Sequence, residues 1–214
     1  MSDSQLSTPE PIPEAESAIA AVRKRPKPGE RRVQILQALA MMLEQPGAER
    51  ITTAGLAARL EVSEAALYRH FASKAQMFEG LIEFIEQSVF TLVNQITERE
   101  ATGSVRAAKL VAMLLQFAEK NPGMTRVMVG DALVYENERL QQRMNQFFDK
   151  IESTLKQSLR AVSDGDASAT PSVDAQVRAS MLTAFAVGRL QRFARSGFKR
   201  APSEHLEASL AHMI

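Results

Sequence analysis

The chain has 214 residues, which is long enough for one large domain or for a small head joined to a larger body. Its composition, 45% hydrophobic and 24% charged, is typical of a folded globular protein, and the absence of cysteine excludes disulfides and thiolate metal sites. The formal net charge of +1 indicates no particular class of partner by itself.

Charge is unevenly distributed near the N-terminus. Residues 1–28 contain five prolines and show no hydrophobic periodicity, so we predict a disordered tail. Residues 1–22 carry a net charge of −4, whereas residues 23–32 carry +5 and include Arg31 and Arg32. A basic strip beside a folded head suits the phosphates of nucleic acid, although an ordinary solvated surface has the same composition.

The first folded element is predicted to be an amphipathic helix. Apolar residues recur on one face from Glu30 onward, at Ile35, Leu36, Leu39, Ala40 and Leu43. Pro46-Gly47 ends this helix, because both residue types break helices.

Two short helices follow, and each begins with the same local device. Thr52 fits an N-cap, with Ile51 placed to pack on Leu56 as a hydrophobic staple. Ser63 fits the N-cap of the next helix, which we predict to run from Ser63 to Phe71. Helices of this length do not persist alone, so they must pack on each other and on the first helix. The arrangement is typical of a helix-turn-helix.

The second short helix has the surface that reading DNA requires. On a helical wheel, Leu67 and Phe71 point to the core. The opposite side carries small or basic residues, at Ala65, Ala66 and Arg69. Small side chains near the start of a helix let it enter the major groove and reach base edges. Donors to phosphate lie at the rim, at Tyr68, His70 and Lys74. The alternative is a surface helix with ordinary polar residues.

A longer helical body is predicted beyond this head. Ser73, with Gln76 three residues on, has the spacing of a capping box and opens a helix over residues 74–97. Further helices are predicted over residues 105–120, 125–135, 137–162, 173–196 and 203–212, with a loop at 163–173. No strand-like alternation interrupts them, so we expect an all-α fold.

The head sequence resembles a known family. Residues 51–83, and above all LYRHF at 67–71 followed by Ser73-Lys74, are similar to the head of TetR-type regulators. The resemblance implies a three-helix head at 29–78, a helical body at 79–214, and a homodimer joined by a four-helix bundle on palindromic double-stranded DNA. The residues predicted to contact DNA are Arg31, Arg32, Thr52, Thr53, Ser63, Ala65, Ala66, Tyr68, Arg69, His70 and Lys74.

The body sequence also resembles a family. Residues 119–133, 138–153 and 192–202, together with the head, are similar to the SlmA family of nucleoid occlusion factors. These DNA-binding proteins couple chromosome position to cell division by antagonising the tubulin-like protein FtsZ. The resemblance implies a nucleoid-associated protein whose body binds the FtsZ C-terminal tail and inhibits ring assembly over the chromosome.

The same resemblance implies where the tail would bind. The groove would lie between the helix that follows the head and the helix ended by the Asn-Pro-Gly turn, with contacts at Phe84, Lys120 and Asn121. Lys120 stands where arginine is more usual, so a cationic contact remains and a bidentate contact is lost. Leu92 stands where a basic residue is expected. For Phe84, core packing is the alternative.

A ligand-responsive transcriptional repressor is the alternative function. TetR-type bodies commonly enclose a small-molecule pocket, and the middle of this body is rich in methionine and phenylalanine, at Met113, Phe117, Met124, Met128, Phe147 and Phe148. Such residues at helical spacing are more often core packing. The sequence also shows no polar cluster that would orient a ligand.

The helix predicted over residues 173–196 is apolar around much of its circumference. A helix of this kind must be covered on more than one side. A dimer interface and burial within one subunit both satisfy that requirement.

The sequence does not indicate an enzyme. It has three histidines and no nucleophile–base–acid arrangement, metal-ligand spacing or phosphate loop, so we expect neither catalysis nor a cofactor. It also has no secretory signal and no apolar run approaching the ~18 to 20 residues of a membrane span. We therefore expect a cytoplasmic protein without a membrane partner.

Overall fold

The computed structural model describes residues 29–45, 51–163 and 170–214. These residues form helices α1 (Glu30–Leu43), α2 (Thr53–Arg59), α3 (Glu64–Tyr68), α4 (Lys74–Arg99), α5 (Gly103–Lys120), α6 (Pro122–Met128), α7 (Glu138–Ser163), α8 (Pro171–Arg195) and α9 (Leu206–Ala211). No strand occurs in these ranges, so the all-α prediction is confirmed. The predictions for residues 1–28 and 46–47, and for most of the loop at 163–173, lie outside them.

The helix predicted over residues 125–135 is wrong at both ends. It begins at Pro122, because proline is well suited to the first position of a helix, where no N–H partner is needed. It ends at Met128, and Gly130 then adopts a left-handed conformation with φ 85°. A 3₁₀ turn, Asp131–Leu133, follows and leads into the segment that precedes α7.

One hydrophobic core runs through the described helices. It includes Leu39 of α1, Leu67 of α3, Leu81 of α4 and Phe147 of α7, all at most 1% exposed. Helix α4 contributes residues on both sides of position 78, so the predicted boundary between head and body falls inside a helix. None of the described helices is both long and apolar enough to cross a membrane.

Ion pairs join α4 to α7 at the edge of this core. The Arg143 guanidinium donates two hydrogen bonds to the Glu86 carboxylate, from Nε to Oε1 at 3.1 Å and from Nη2 to Oε2 at 2.6 Å. The hydrogen bond to Glu86 raises the pKa of the Arg143 guanidinium against the opposing effect of burial. Arg139, one helical turn before Arg143 on α7, pairs with Glu79 of α4. Two glutamates of α4, Glu79 and Glu86, are therefore paired with arginines of α7.

Helices α1 and α6 approach each other at a glycine. A Cβ atom on Gly123 would lie 2.0 Å from the carbonyl oxygen of Ala40, a distance that no real side chain tolerates. Only glycine allows the two backbones to meet at this distance. Because α1 lies in the predicted head and α6 in the predicted body, this contact helps to hold the two parts together, alongside the packing of α1 on α4.

Candidate nucleic-acid interface

Both short helices of the head begin as predicted. The Thr52 hydroxyl accepts a bond from the Gly55 N–H at 3.1 Å, and the Ser63 hydroxyl accepts one from the Ala66 N–H at 3.3 Å. Each cap satisfies an N–H that has no partner inside its helix. The N-caps of α2 and α3 are therefore confirmed, and the caps use the hydroxyl oxygens of Thr52 and Ser63 as acceptors.

The turn between α2 and α3 is closed by backbone hydrogen bonds. The Val62 N–H donates to the Ala57 carbonyl at 3.0 Å, and the Glu61 N–H donates to the Ala58 carbonyl at 3.1 Å. This is the Schellman pattern, and it places Glu61 in the left-handed region with φ 53°. Glycine usually occupies this position, so glutamate carries a conformational cost of about 1 kcal/mol. The tight turn sets the angle at which α3 leaves α2.

Helix α3 is shorter than predicted. The prediction of a helix from Ser63 to Phe71 is wrong at its end, because α3 stops at Tyr68. The N–H groups of His70 and Phe71 both donate to the carbonyl of Leu67, which tightens and ends the last turn. The chain then bends so that Phe71 enters the core. Arg69 and His70 thus follow the last helical residue, Tyr68, and do not continue the helix face that carries Ala65.

The outward surface of α3 is as the helical wheel predicts at Ala65, whereas Ala66, predicted on the same side, is only partly exposed. Leu67 is fully buried and Phe71 is 1% exposed, while Tyr68 is 44% exposed. Ala65 is exposed, as are Arg69 and His70, and Ala66 is half-buried. An exposed small residue in the first turn leaves space for a base edge to approach the helix. The structure thus leaves Ala65 at an unobstructed surface.

Thr53 is hydrogen-bonded to Glu64, a residue that the sequence alone did not single out. Its hydroxyl donates to the Glu64 carboxylate at 2.6 Å, which ties the start of α2 to the start of α3. Glu64 is exposed and lies in the first turn of the candidate reading helix. An acidic residue in a first turn is common, because its charge interacts favourably with the helix dipole. The residue type and position alone therefore did not mark Glu64 as a candidate site residue. Its carboxylate brings a negative charge to this surface.

The predicted phosphate-binding cations are placed differently from one another. Arg31 is half-buried and Arg32 is exposed on α1. Arg32 donates from Nη1 to the His70 carbonyl at 3.1 Å, and its guanidinium carbon lies 4.1 Å from the centre of the Phe71 ring. Arg32 therefore braces the end of α3 against α1. Its contact with DNA stays a prediction.

Lys74 is paired across the molecule. Its ammonium binds the carboxylate of Glu136, which lies between the 3₁₀ turn and α7, and it also lies 5.7 Å from the centre of the Phe78 ring. The Ser73 hydroxyl caps α4 by accepting from the Gln76 N–H, as predicted. In a full capping box, the Gln76 side chain would accept from the Ser73 N–H. Here it accepts from the Ala72 N–H instead.

The predicted partner-binding residues lie on α4 and at the end of α5. Phe84 is 47% exposed on α4, so it is not the core residue that the alternative predicts. Lys120 is exposed at the last position of α5. The Asn121 side-chain amide donates to the Phe117 carbonyl at 2.7 Å and closes the end of that helix. Helices α4 and α5 pack against each other.

The methionines and phenylalanines of the body pack together. Met128 and Phe147 are at most 2% exposed, and the partly buried members pack against the same core, namely Met113, Phe117, Met124 and Phe148. Phe147 makes edge-to-face contacts with Phe90 and Phe148, with ring centres 5.5 and 5.1 Å apart. These residues behave as core packing, the simpler of the two readings.

Comparison with known proteins identifies both parts of the chain. Residues 35–81 match the family model described as "Bacterial regulatory proteins, tetR family". Residues 102–214 match the SlmA-like model described as "Tetracyclin repressor-like, C-terminal domain". The nucleoid occlusion factor SlmA of Idiomarina loihiensis is 52% identical over 178 residues, covering 83% of this chain and 90% of that protein. The SlmA of Aliivibrio fischeri is 53% identical over 181 residues, with coverage of 84% and 92%.

The chain belongs to the SlmA family of nucleoid occlusion factors.

This family lies within the TetR-type DNA-binding regulators, which confirms both resemblances drawn from the sequence. Solved structures support the fold. The fatty acid degradation regulator FadR of Bacillus halodurans has a TM-score of 0.70 at 12% identity, covering 88% of this chain and 96% of that one. FadR of Bacillus subtilis, solved with stearoyl-CoA, has a TM-score of 0.66 at 14% identity, with coverage of 85% and 97%. At these identities the likeness shows the fold alone.

Proposed function

We propose that this SlmA-family protein binds a palindromic DNA site as a homodimer and, bound to the nucleoid in the cytoplasm, inhibits FtsZ ring assembly over the chromosome. The observation that carries the DNA-binding part is the surface of α3. The helix is capped by Ser63, exposes Ala65 to solvent and is anchored in the core by the buried side chains of Leu67 and Phe71. A rigid helix that presents a small side chain at its start is suited to the major groove.

The proposed contacts fall into two classes. Ser63, Ala65 and Ala66 would lie against base edges, where thymine methyl groups and hydroxyl contacts discriminate sequence. Phosphates would be bound around them by residues at the ends of the short helices and on α1, namely Arg31, Arg32, Thr52, Thr53, Tyr68, Arg69, His70 and Lys74. Thr53 would contribute its backbone N–H at the start of α2, because its hydroxyl donates to Glu64. Phosphate contacts fix the register and supply affinity for every sequence, so the two classes have different mutational signatures.

The homodimer is proposed to form on α8. One face of this helix is buried in its own subunit through Leu182 and Leu190, both fully buried. The other face carries an exposed apolar stripe at four-residue spacing, with Val173, Val177 and Met181 each more than half exposed. Because α7 and α8 pack along each other, a second copy laid on this stripe would complete a four-helix bundle. The stripe supports the dimer reading over burial within one subunit.

A charge on this stripe is expected to separate the subunits. Val177→Asp would bury a carboxylate without a partner in the interface, at a cost of about 3 kcal/mol or more, which is over a hundredfold in the dimer dissociation constant. Sedimentation velocity across a concentration series measures the shift. Val105→Asp, at an exposed valine of α5, is the matched control and should leave the dimer intact. A dimer unchanged by Val177→Asp would place the interface elsewhere.

The FtsZ tail is proposed to bind beside α4 and the end of α5. Phe84 supports this, since an aromatic ring left 47% exposed on a packed helix is available to a partner. Lys120 offers an exposed cation at the end of α5. The side-chain amide of Asn121 already donates to the Phe117 carbonyl. Asn121 is therefore proposed to bind the tail through its other polar groups.

Titration of a labelled FtsZ tail peptide, with and without duplex DNA, tests the division function. Saturable binding supports it, and no binding in either condition contradicts it. Mapping of chromosomal sites then separates it from the alternative of a ligand-responsive repressor. Many dispersed sites, absent from the region replicated last, indicate nucleoid occlusion. One or two promoters beside its own gene indicate a repressor.

A further inference from the structure

Lys74 and Glu136 form a bridge between the head and the body. Lys74 is the first residue of α4, immediately after the loop that follows α3, whereas Glu136 lies 62 residues later, before α7. The pair is partly shielded from water, with side-chain exposures of 28% for Lys74 and 11% for Glu136. The backbone N–H of Glu136 donates to the Leu133 carbonyl at 3.0 Å, which holds the carboxylate on the 3₁₀ turn.

The position of Lys74 gives this pair a consequence for DNA. A lysine ammonium at the edge of the reading surface is available to a phosphate only when no nearer anion holds it. Phosphate and the Glu136 carboxylate both bind a cation through oxygens, so they compete for the same ammonium. Partial burial strengthens the pair relative to a fully exposed one, because screening by water is reduced.

We propose that Glu136 is an affinity-determining residue of the DNA-binding function, acting as an internal competitor of the DNA phosphate for Lys74. This inference rests on the proposed DNA-binding role of the head. When a phosphate binds the Lys74 ammonium, the ion pair with Glu136 breaks. The segment 134–137 is then no longer tied to the head through that pair. Val134 and Tyr135, 63% and 71% exposed, lie in that segment. DNA binding and the mobility of this segment are therefore coupled, and linkage makes the coupling reciprocal.

A double-mutant cycle on the full-length protein tests the competition. Glu136→Gln keeps the shape and removes the charge, and it should tighten binding to the preferred duplex by about threefold to fivefold, as expected for a pair of this exposure. Lys74→Ala should weaken binding. In the Lys74→Ala background, Glu136→Gln should have no further effect beyond its general charge effect, because the competed cation is gone.

Glu138→Gln supplies the matched control for charge. Glu138 is exposed and lies two residues from Glu136, and it hydrogen-bonds Gln142 and not Lys74. It should therefore change DNA affinity by the general charge effect alone. Circular dichroism of every variant verifies the fold before its affinity is compared.

Hydrogen exchange gives a readout that simple charge repulsion does not move. Addition of DNA should speed exchange at the Glu136 amide in the wild type, and it should have no effect there in Lys74→Ala. If the wild type binds DNA and Glu136→Gln equals Glu138→Gln, or keeps its effect without Lys74, the competition is wrong and the proposed function stands. If the wild type binds no duplex, the proposed function itself fails.

Discussion

Ala65→Asp is expected to abolish sequence-specific DNA binding while the protein stays folded. The substitution places a carboxylate on the exposed first turn of α3, where it would face base edges between two rows of phosphate. An unpaired charge desolvated in an interface costs about 3 to 5 kcal/mol, which corresponds to a loss of more than about a hundredfold. Fluorescence anisotropy with a selected palindromic duplex measures the loss.

The control for this substitution is available in the same chain. Ala101 is exposed in the connection between α4 and α5, so Ala101→Asp adds the same charge to the body and should leave DNA affinity nearly unchanged. Circular dichroism should show native helix content for both variants, because neither alanine belongs to the core. A folded Ala65→Asp protein with normal affinity would mean that α3 does not read the DNA.

Phe84→Ala is expected to weaken binding of the FtsZ tail by about thirtyfold, the loss of ~2 kcal/mol that truncation of an aromatic hot spot produces. Lys120→Asp should weaken it as well by reversing a charge at the other end of the proposed groove. Both residues lie outside α1 to α3, so DNA affinity should stay unchanged. Peptide anisotropy and duplex anisotropy on the same preparations separate the two activities.

Thermal melting distinguishes a groove residue from a core residue at this position. Because Phe84 is 47% exposed, its truncation should cost only about 1 kcal/mol, or ~2 to 4 °C in the melting temperature of a chain of this size. Leu92→Ala, at a 37% exposed leucine two turns along α4, is the control for lost surface area. A large drop in melting temperature, or normal peptide binding by Phe84→Ala, contradicts the proposed groove.

Local sequence signals predicted the starts of the three capped helices α2, α3 and α4, whereas the start of α6 and the end of α3 were predicted wrongly. Thr52, Ser63 and Ser73 each have a hydroxyl that caps within three residues, so the chemistry is contained in a short segment. The end of α3 depends on the core, which draws Phe71 inward and stops the helix at Tyr68. Periodicity alone carries no information about that pull, so the predicted helix was too long.

The candidate site was predicted as a surface but not as a network. The exposed Ala65 follows from a helical wheel, whereas the Lys74–Glu136 pair joins residues far apart in the sequence. The Thr53–Glu64 bond crosses from one short helix to the next. Pairs of this kind depend on how helices pack, and side-chain spacing along one helix does not encode them. The cations that the sequence offers to phosphate are therefore partly committed to partners in the protein.

The close approach of α1 and α6 at Gly123 also has a consequence for the proposed dimer on DNA. In the proposed dimer, the body joins the two subunits, and each head is positioned on its body where Gly123 meets Ala40. Half-sites read by two such heads must lie about 34 Å apart, or at a multiple of that helical repeat. A methyl group at position 123 would push α1 away from α6 and shift both reading helices from that phase. In the proposed dimer, the operator spacing thus depends on the absence of a side chain at a position outside the proposed DNA contacts.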